Sequence, residues 1–153
     1  MYIWAIDISL SSTGVAIFEN DQPLFVFSIP TASKLEQRKR LKIIGDTLLE
    51  YKKLYPTNLV ILEAGFGRFQ ISTQTLFKVH GIVNYLFADC EQIYFAPSTI
   101  KKVVGGNGRA DKEEIKKIVM LKYPHLSFAN NDESDSVSIM LCYLASKGKE
   151  TKK

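Results

Sequence analysis

Four acidic residues in three separate segments have the types and spacing to form one metal-binding site. Asp7 lies in an apolar run at residues 2–8, and Glu63 ends another at 59–63. A carboxylate at the end of a buried strand costs free energy unless it is paired or binds a metal. Asp132 and Asp135 are spaced i, i+3 before an apolar helical pattern, so both can face one side of a helix. Four converging carboxylates would bind hard divalent cations and favour phosphodiester hydrolysis assisted by two metal ions.

Each of these acids also has a purely structural interpretation. Asp7 could cap the turn between Ser9 and Thr13, and Asp132 could be a helix N-cap with Asp135 at the third helical position. Asp is a poorer partner than Glu or Gln at that position, so capping accounts for only half of the pair. Glu133 would point elsewhere on the helix, and we expect it to be exposed to solvent.

The order of the elements predicts the scaffold that positions these acids. Short turns separate three strand-like segments and favour an antiparallel meander. Helix, strand, helix, strand and three further helices follow. The expected class is α/β, a mixed five-stranded sheet with the meander, two parallel strands and helices on both faces. The predicted strands are 2–8, 12–19, 23–29, 59–63 and 91–96, and the predicted helices are 33–54, 72–88, 97–105, 111–123 and 132–146.

Composition indicates one globular domain in a reducing compartment. The chain has 153 residues and a net charge of +4, a weak sign of a nucleic-acid partner. It has no apolar run of membrane-spanning length and no pattern of a signal peptide, and its two cysteines are far apart, which favours the cytoplasm. We expect a single domain at 1–147 and a basic, flexible tail at 148–153.

The acids belong to a larger ordered set of motifs. In chain order, these segments are Ile6–Ser9 with Thr13-Gly14, Leu62–Phe66, Lys78–Gly81, Val103–Lys112 and Asp132–Asp135. The set resembles the RuvC-type Holliday-junction resolvases, within the ribonuclease-H-like nucleases, and a compact phage-type member in particular. The chain has Asp-Ile-Ser where the family usually has Asp-Pro-Gly, and Glu133-Ser134 where the family has small residues.

The resemblance implies an endonuclease of DNA recombination and repair that resolves four-way junctions by paired, symmetric nicks. It assigns catalysis and metal binding to Asp7, Glu63, Asp132 and Asp135, with two Mg²⁺ ions, or Mn²⁺ as a substitute. The protein would act on branched DNA in the cytoplasm, at the nucleoid or in the host cell of a phage. Whether a helicase partner exists is open.

Six further residues are candidates for DNA binding. Phe66 resembles the family's wedge at the junction centre, although it or Phe69 could instead fold into the core. Arg68 beside them would suit a phosphate. Arg109 follows a glycine-rich loop that lets backbone amides approach a phosphate. Lys101 and Lys112 match basic positions near the family's site, and Lys101 could equally be a solvated lysine.

A four-way junction is roughly two-fold symmetric, so one active site per chain implies a homodimer. We expect the second helix, with Leu76, Phe77, Val79, Leu86 and Phe87, and the last helix to form its interface. His80 should pack in the core or at this interface.

Three other functions remain open at this stage. The chain could be another ribonuclease-H-like nuclease that acts on RNA, forks or flaps. It could be a junction-binding module without catalysis. The Asp-x-Ser-x-x-Ser-Thr-Gly start also resembles the phosphate loop of actin-like ATPases and sugar kinases, but those chains are about twice as long and lack the late acid pair.

Overall fold

A mixed five-stranded sheet organises the protein in the computed structural model, which describes residues 1–65 and 70–150. The strand order is β3-β2-β1-β4-β5. The first three strands form an antiparallel meander, and β4 and β5 add in parallel beside β1. The predicted sheet is therefore confirmed. The strands are β1 (Tyr2–Asp7), β2 (Ser12–Glu19), β3 (Gln22–Pro30), β4 (Thr57–Glu63) and β5 (Glu91–Phe95), and the helices are α1 (Gln37–Leu54), α2 (Gln70–Leu86), α3 (Pro97–Gly105), α4 (Lys112–Lys122) and α5 (Asn131–Glu150).

Helices cover both faces of the sheet because the central strands are apolar on both sides. In β1, Trp4 and Ile6 face α1 and α2, whereas Ile3 and Ala5 face α3, α4 and α5. Side chains alternate along a strand, so Asp7 continues the Ile3–Ala5 row and points toward the side covered by α5. The two cores thus decide which helices can approach the first acid.

The helix boundaries differ most from the prediction at α1 and α5. Helix α1 begins at Gln37, four residues late, because a turn closed by Leu35 N donating to Ala32 O precedes it. Helix α5 continues to Glu150, beyond the predicted end. Helix α4 begins with a capping box, in which Asp111 and Glu114 exchange hydrogen bonds of 2.8 and 3.0 Å.

The single domain and the basic tail remain predictions. Residues 151–153 lie outside those that the structure describes. In the described part of the chain, no helix is both long enough and apolar enough to cross a membrane.

Candidate active site

Neighbouring parallel strands bring the first two acids together. Strands β1 and β4 pair in register at Ile6 and Leu62, so Asp7 and Glu63 end adjacent strands at the same edge. Glu63 shares its face of β4 with Ile61, which packs under α5. Both carboxylates therefore point to the side of the sheet that α5 covers, as the strand pattern requires.

Helix α5 supplies the other two acids from its first turns. Carboxylate oxygens of Asp7, Asp132 and Asp135 lie within 4.8 Å of one another. Glu63 lines a cleft of about 200 Å³ together with Asp7 and Asp135. The predicted convergence of the three segments is thus observed, and this oxygen-rich donor set suits a hard divalent cation.

The approach of α5 depends on the absence of a side chain at Gly14. Gly14 pairs with Asp7 on β1 and with Ser28 on β3, and all three face α5. A Cβ atom at Gly14 would lie only 2.0 Å from the carbonyl oxygen of Asp132. The backbone of α5 therefore lies directly on the strand beside Asp7, and only glycine leaves room for it there.

Glu133 anchors the same turn, which corrects the expectation that it is exposed. Its side chain is 6% exposed, and its carboxylate accepts hydrogen bonds from Ser28 Oγ at 3.1 Å and Ala129 N at 2.8 Å. Asn130 Oδ1 accepts from Glu133 N at 3.1 Å. The helical spacing turned Glu133 away from the acids, as expected, but toward β3 rather than solvent. No sequence signal revealed this, because Ser28 is 105 residues away.

Burial and neighbouring negative charge both act on the two acids that end β1 and β4. Burial, and then repulsion by Asp135, Glu63 and Asp132, raises the pKa of Asp7 from 3.8 to about 8. Burial and Asp135 likewise raise the pKa of Glu63. A divalent cation would relieve this repulsion, so the charge pattern fits a metal site.

Two predicted basic residues join the cluster. Lys112 Nζ lies 2.9 Å from Asp135 Oδ2, and this bond is the main cause that raises the pKa of Lys112. Lys101 lines the same cleft, and its charge acts to lower the pKa of Glu63. Both ammonium groups therefore lie where a bound phosphate could be contacted.

Among the other predicted DNA-binding residues, only Arg109 lies in the part of the chain that the structure describes. Arg109 is exposed on the loop before α4 and is absent from the described residues that line the cleft. Phe66, Arg68 and Phe69 lie outside the residues that the structure describes.

The structure restricts the predicted dimer surface. Val79 and Phe87 are fully buried inside the protomer, and α5 is buried from Val137 to Tyr143, so these residues are unavailable to a partner. Phe77 and Tyr85 on α2 remain 53% and 83% exposed. His80 is buried, as expected, and burial lowers its pKa.

The family of the chain follows from comparison with known proteins. The family model described as "Crossover junction endodeoxyribonuclease RuvC" matches residues 3–143. The chain belongs to the RuvC family. A RuvC relative from Rickettsia bellii is 30% identical over 96% of this chain and 99% of its own length, and one from Thermomicrobium roseum is 27% identical over 94% and 92%. Both carry the name "Crossover junction endodeoxyribonuclease RuvC".

Solved structures of RuvC proteins share the fold. Thermus thermophilus RuvC, in complex with a Holliday junction substrate, has a TM-score of 0.81 at 21% identity and covers 97% of this chain and 96% of its own. The yeast mitochondrial Holliday junction resolvase has a TM-score of 0.58 at 10% identity and covers 92% and 78%. The predicted family and the ribonuclease-H-like fold class are thereby confirmed.

Proposed function

We propose that this RuvC-family protein resolves four-way DNA junctions by metal-dependent hydrolysis at the cluster of Asp7, Glu63, Asp132 and Asp135. The observation that carries the proposal is the convergence of carboxylate oxygens from β1 and α5 within 4.8 Å. Family membership supports the substrate class. Burial and the repulsion by neighbouring carboxylates, which together raise the pKa of Asp7, support a divalent cation as the ligand of this cluster.

The four carboxylates would hold Mg²⁺, with Mn²⁺ as a possible substitute and two ions per site. When bound, such ions lower the pKa of an attacking water and stabilise the leaving oxygen of the phosphodiester. Asp7 lies among the other acids, so it would be the central ligand of the bound metal.

The basic residues would position the substrate. Lys112 and Lys101 line the cleft and would bind oxygens of the scissile or neighbouring phosphate. Arg109, on the loop before α4, would bind the same DNA strand at a phosphate further from the cleft. Phe66, Arg68 and Phe69 directly follow the second acid in the sequence, and we propose that they contact the junction centre.

A homodimer would place two such sites on opposing strands. Phe77, Gly81 and Tyr85 recur at intervals of four residues on α2, and each is exposed, so they form one stripe along the helix. An exposed aromatic stripe with a central glycine suits close packing against a second copy. For a DNA substrate of this class, we propose that the protein acts in the cytoplasm.

The test is cleavage of a labelled synthetic four-way junction with Mg²⁺ or with EDTA. We expect paired, symmetric nicks that require the metal and disappear in Asp7→Asn, whereas junction binding persists. Asp111→Asn is the matched control, since Asn caps α4 as well as Asp does. Tight binding without cleavage in Mg²⁺ would contradict catalysis. Absence of any preference for junctions over linear duplex would contradict the substrate.

A further inference from the structure

A second groove lies beside the acidic cluster and is lined mainly by hydroxyl, amide and guanidinium groups. It has a volume of about 510 Å³ and runs between the β1–β2 loop, the start of α1 and the first half of α2. Ile8 and Leu76 line both this groove and a small recess that contains Asp7 and Glu63. The groove therefore lies next to the acids.

Arg40 is the fixed cation of this groove. Its Nε donates to Thr31 Oγ1 at 2.8 Å, and its terminal nitrogen Nη2 lies 3.5 Å from Ser11 Oγ. Thr31 is itself buried, and its hydroxyl donates to Leu10 O. This pair of consecutive hydrogen bonds therefore holds the Arg40 guanidinium in place. A guanidinium held this way keeps its remaining donors free for a planar, two-pronged contact with an anion.

A second cation stands next to the groove. Lys78 Nζ donates to Gln37 Oε1 at 2.6 Å, and Gln37 Nε2 donates to Thr75 Oγ1 at 3.2 Å. Gln37 and Thr75 line the groove and connect α1 with α2 across it. The amide thereby aims the Lys78 ammonium toward the groove wall without neutralising it.

Neither cation has an acidic partner in the described ranges. Other basic residues of α1 do: Arg38 and Lys39 pair with Glu36, and Lys42 pairs with Asp46. The ion pairs of residues 1–65 and 70–150 leave Arg40 and Lys78 with neutral oxygens only. Two positive charges with neutral partners in a hydroxyl-lined groove are suited to phosphate groups.

We propose that this groove binds the sugar-phosphate backbone of the DNA strand flanking the scissile phosphate, with Arg40 and Lys78 each contacting one phosphate. This inference rests on the proposed nuclease function. It adds a binding site on α1 and α2 that is separate from Lys101 and Lys112. The hydroxyls of Ser9, Ser11 and Thr75 supply contacts that do not depend on base sequence, so the groove would set position and affinity rather than cleavage preference.

The experiment measures binding as a function of salt for wild type, Arg40→Gln and Arg38→Gln, in Ca²⁺ to prevent cleavage. Arg38→Gln removes the same charge from the same helix, but at a residue paired with Glu36. Each variant is titrated with a four-way junction and with linear duplex of equal length. Lys78→Gln, which disturbs only a surface contact with Gln37, is the second groove variant should Arg40→Gln prove poorly folded.

We expect Arg40→Gln to weaken binding about tenfold at low salt, as expected of a lost charge-assisted hydrogen bond. Loss of one phosphate contact lowers the slope of log K against log salt by about 0.9. Between 50 and 200 mM salt, the variant should therefore lose about 3.5-fold less affinity than wild type. Arg38→Gln should keep both the wild-type slope and the wild-type single-turnover nicking rate in Mg²⁺.

The proposal that the groove binds DNA would be overturned if log K falls with log salt at the same slope for Arg40→Gln, Lys78→Gln and Arg38→Gln. Junction cleavage by the wild-type protein would be unaffected by that result. Arg40→Gln could lower the salt slope on linear duplex while the wild-type protein binds junctions no better than duplex. That result would support DNA binding in the groove and contradict the proposed resolvase function. Absence of binding to either DNA by wild type would overturn both proposals.

Discussion

Replacing Gly14 by Ala tests how the metal ligands are positioned. The added Cβ would lie 2.0 Å from the carbonyl oxygen of Asp132, whereas ordinary carbon–oxygen contacts are about 3.3 Å. The obstacle is backbone, so no rotamer change relieves it, and the first turn of α5 must retreat by about 1 Å. Asp132 and Asp135 move with that turn.

The expected loss is large because metal ligation tolerates little displacement. Ligand distances in metal sites vary by about 0.2 Å, and an error of 1 Å at a reacting centre costs about 10²-fold in rate. We therefore expect Gly14→Ala to reduce single-turnover junction nicking about 100-fold and to weaken metal binding. Overpacking should also cost about 1–3 kcal/mol of the free energy of unfolding.

Gly148→Ala on the same helix is the matched control. A Cβ at Gly148 would meet no heavy atom within 4 Å, so activity should remain and helix propensity should slightly improve stability. Thermal melting and circular dichroism of Gly14→Ala distinguish a displaced first turn of α5 from an unfolded protein. If folded Gly14→Ala nicks junctions within threefold of wild type, α5 does not hold the acids by direct contact with β2, and the reasoning is refuted.

Three further perturbations probe the same cluster. The pKa of Asp7 is about 8 in the folded protein and 3.8 in the unfolded chain, so the metal-free melting temperature should decrease as the pH rises from 3.8 to about 8. Asp7→Asn should weaken that decrease, and the raised pKa of Glu63 accounts for the remainder. Glu133→Ala leaves Ser28 Oγ and Ala129 N without their acceptor, and should cost about 2–4 kcal/mol in denaturant unfolding, with Glu133→Gln milder. Lys112→Gln removes the ammonium that competes for Asp135, so calorimetry should show metal binding roughly 3- to 10-fold tighter, while nicking slows. Unchanged metal affinity would contradict that role for Lys112.

Local patterns in the sequence were sufficient to predict the strands of the sheet and the elements that carry the four acids. Strands of period two, a helical i, i+3 acid pair and short turns each depend on neighbouring residues, so β1, β4 and the start of α5 could be predicted without the fold. The capping box of α4 is equally local, because it depends only on Asp111 and Glu114, three residues apart. The resemblance to RuvC proteins added the order in which these pieces occur.

Contacts between distant segments required the tertiary structure. From the sequence alone, Glu133 was predicted to be exposed, because its hydrogen-bond partner Ser28 lies far away in the chain on β3. The sequence also predicted Val79 and Phe87 at the dimer interface, whereas both are buried in the core of the protomer. Gly14 could be recognised as part of a motif, but its contact with the Asp132 backbone depends on how α5 crosses the sheet. Spacing along the chain specifies which face a side chain occupies, whereas only packing decides what that face meets.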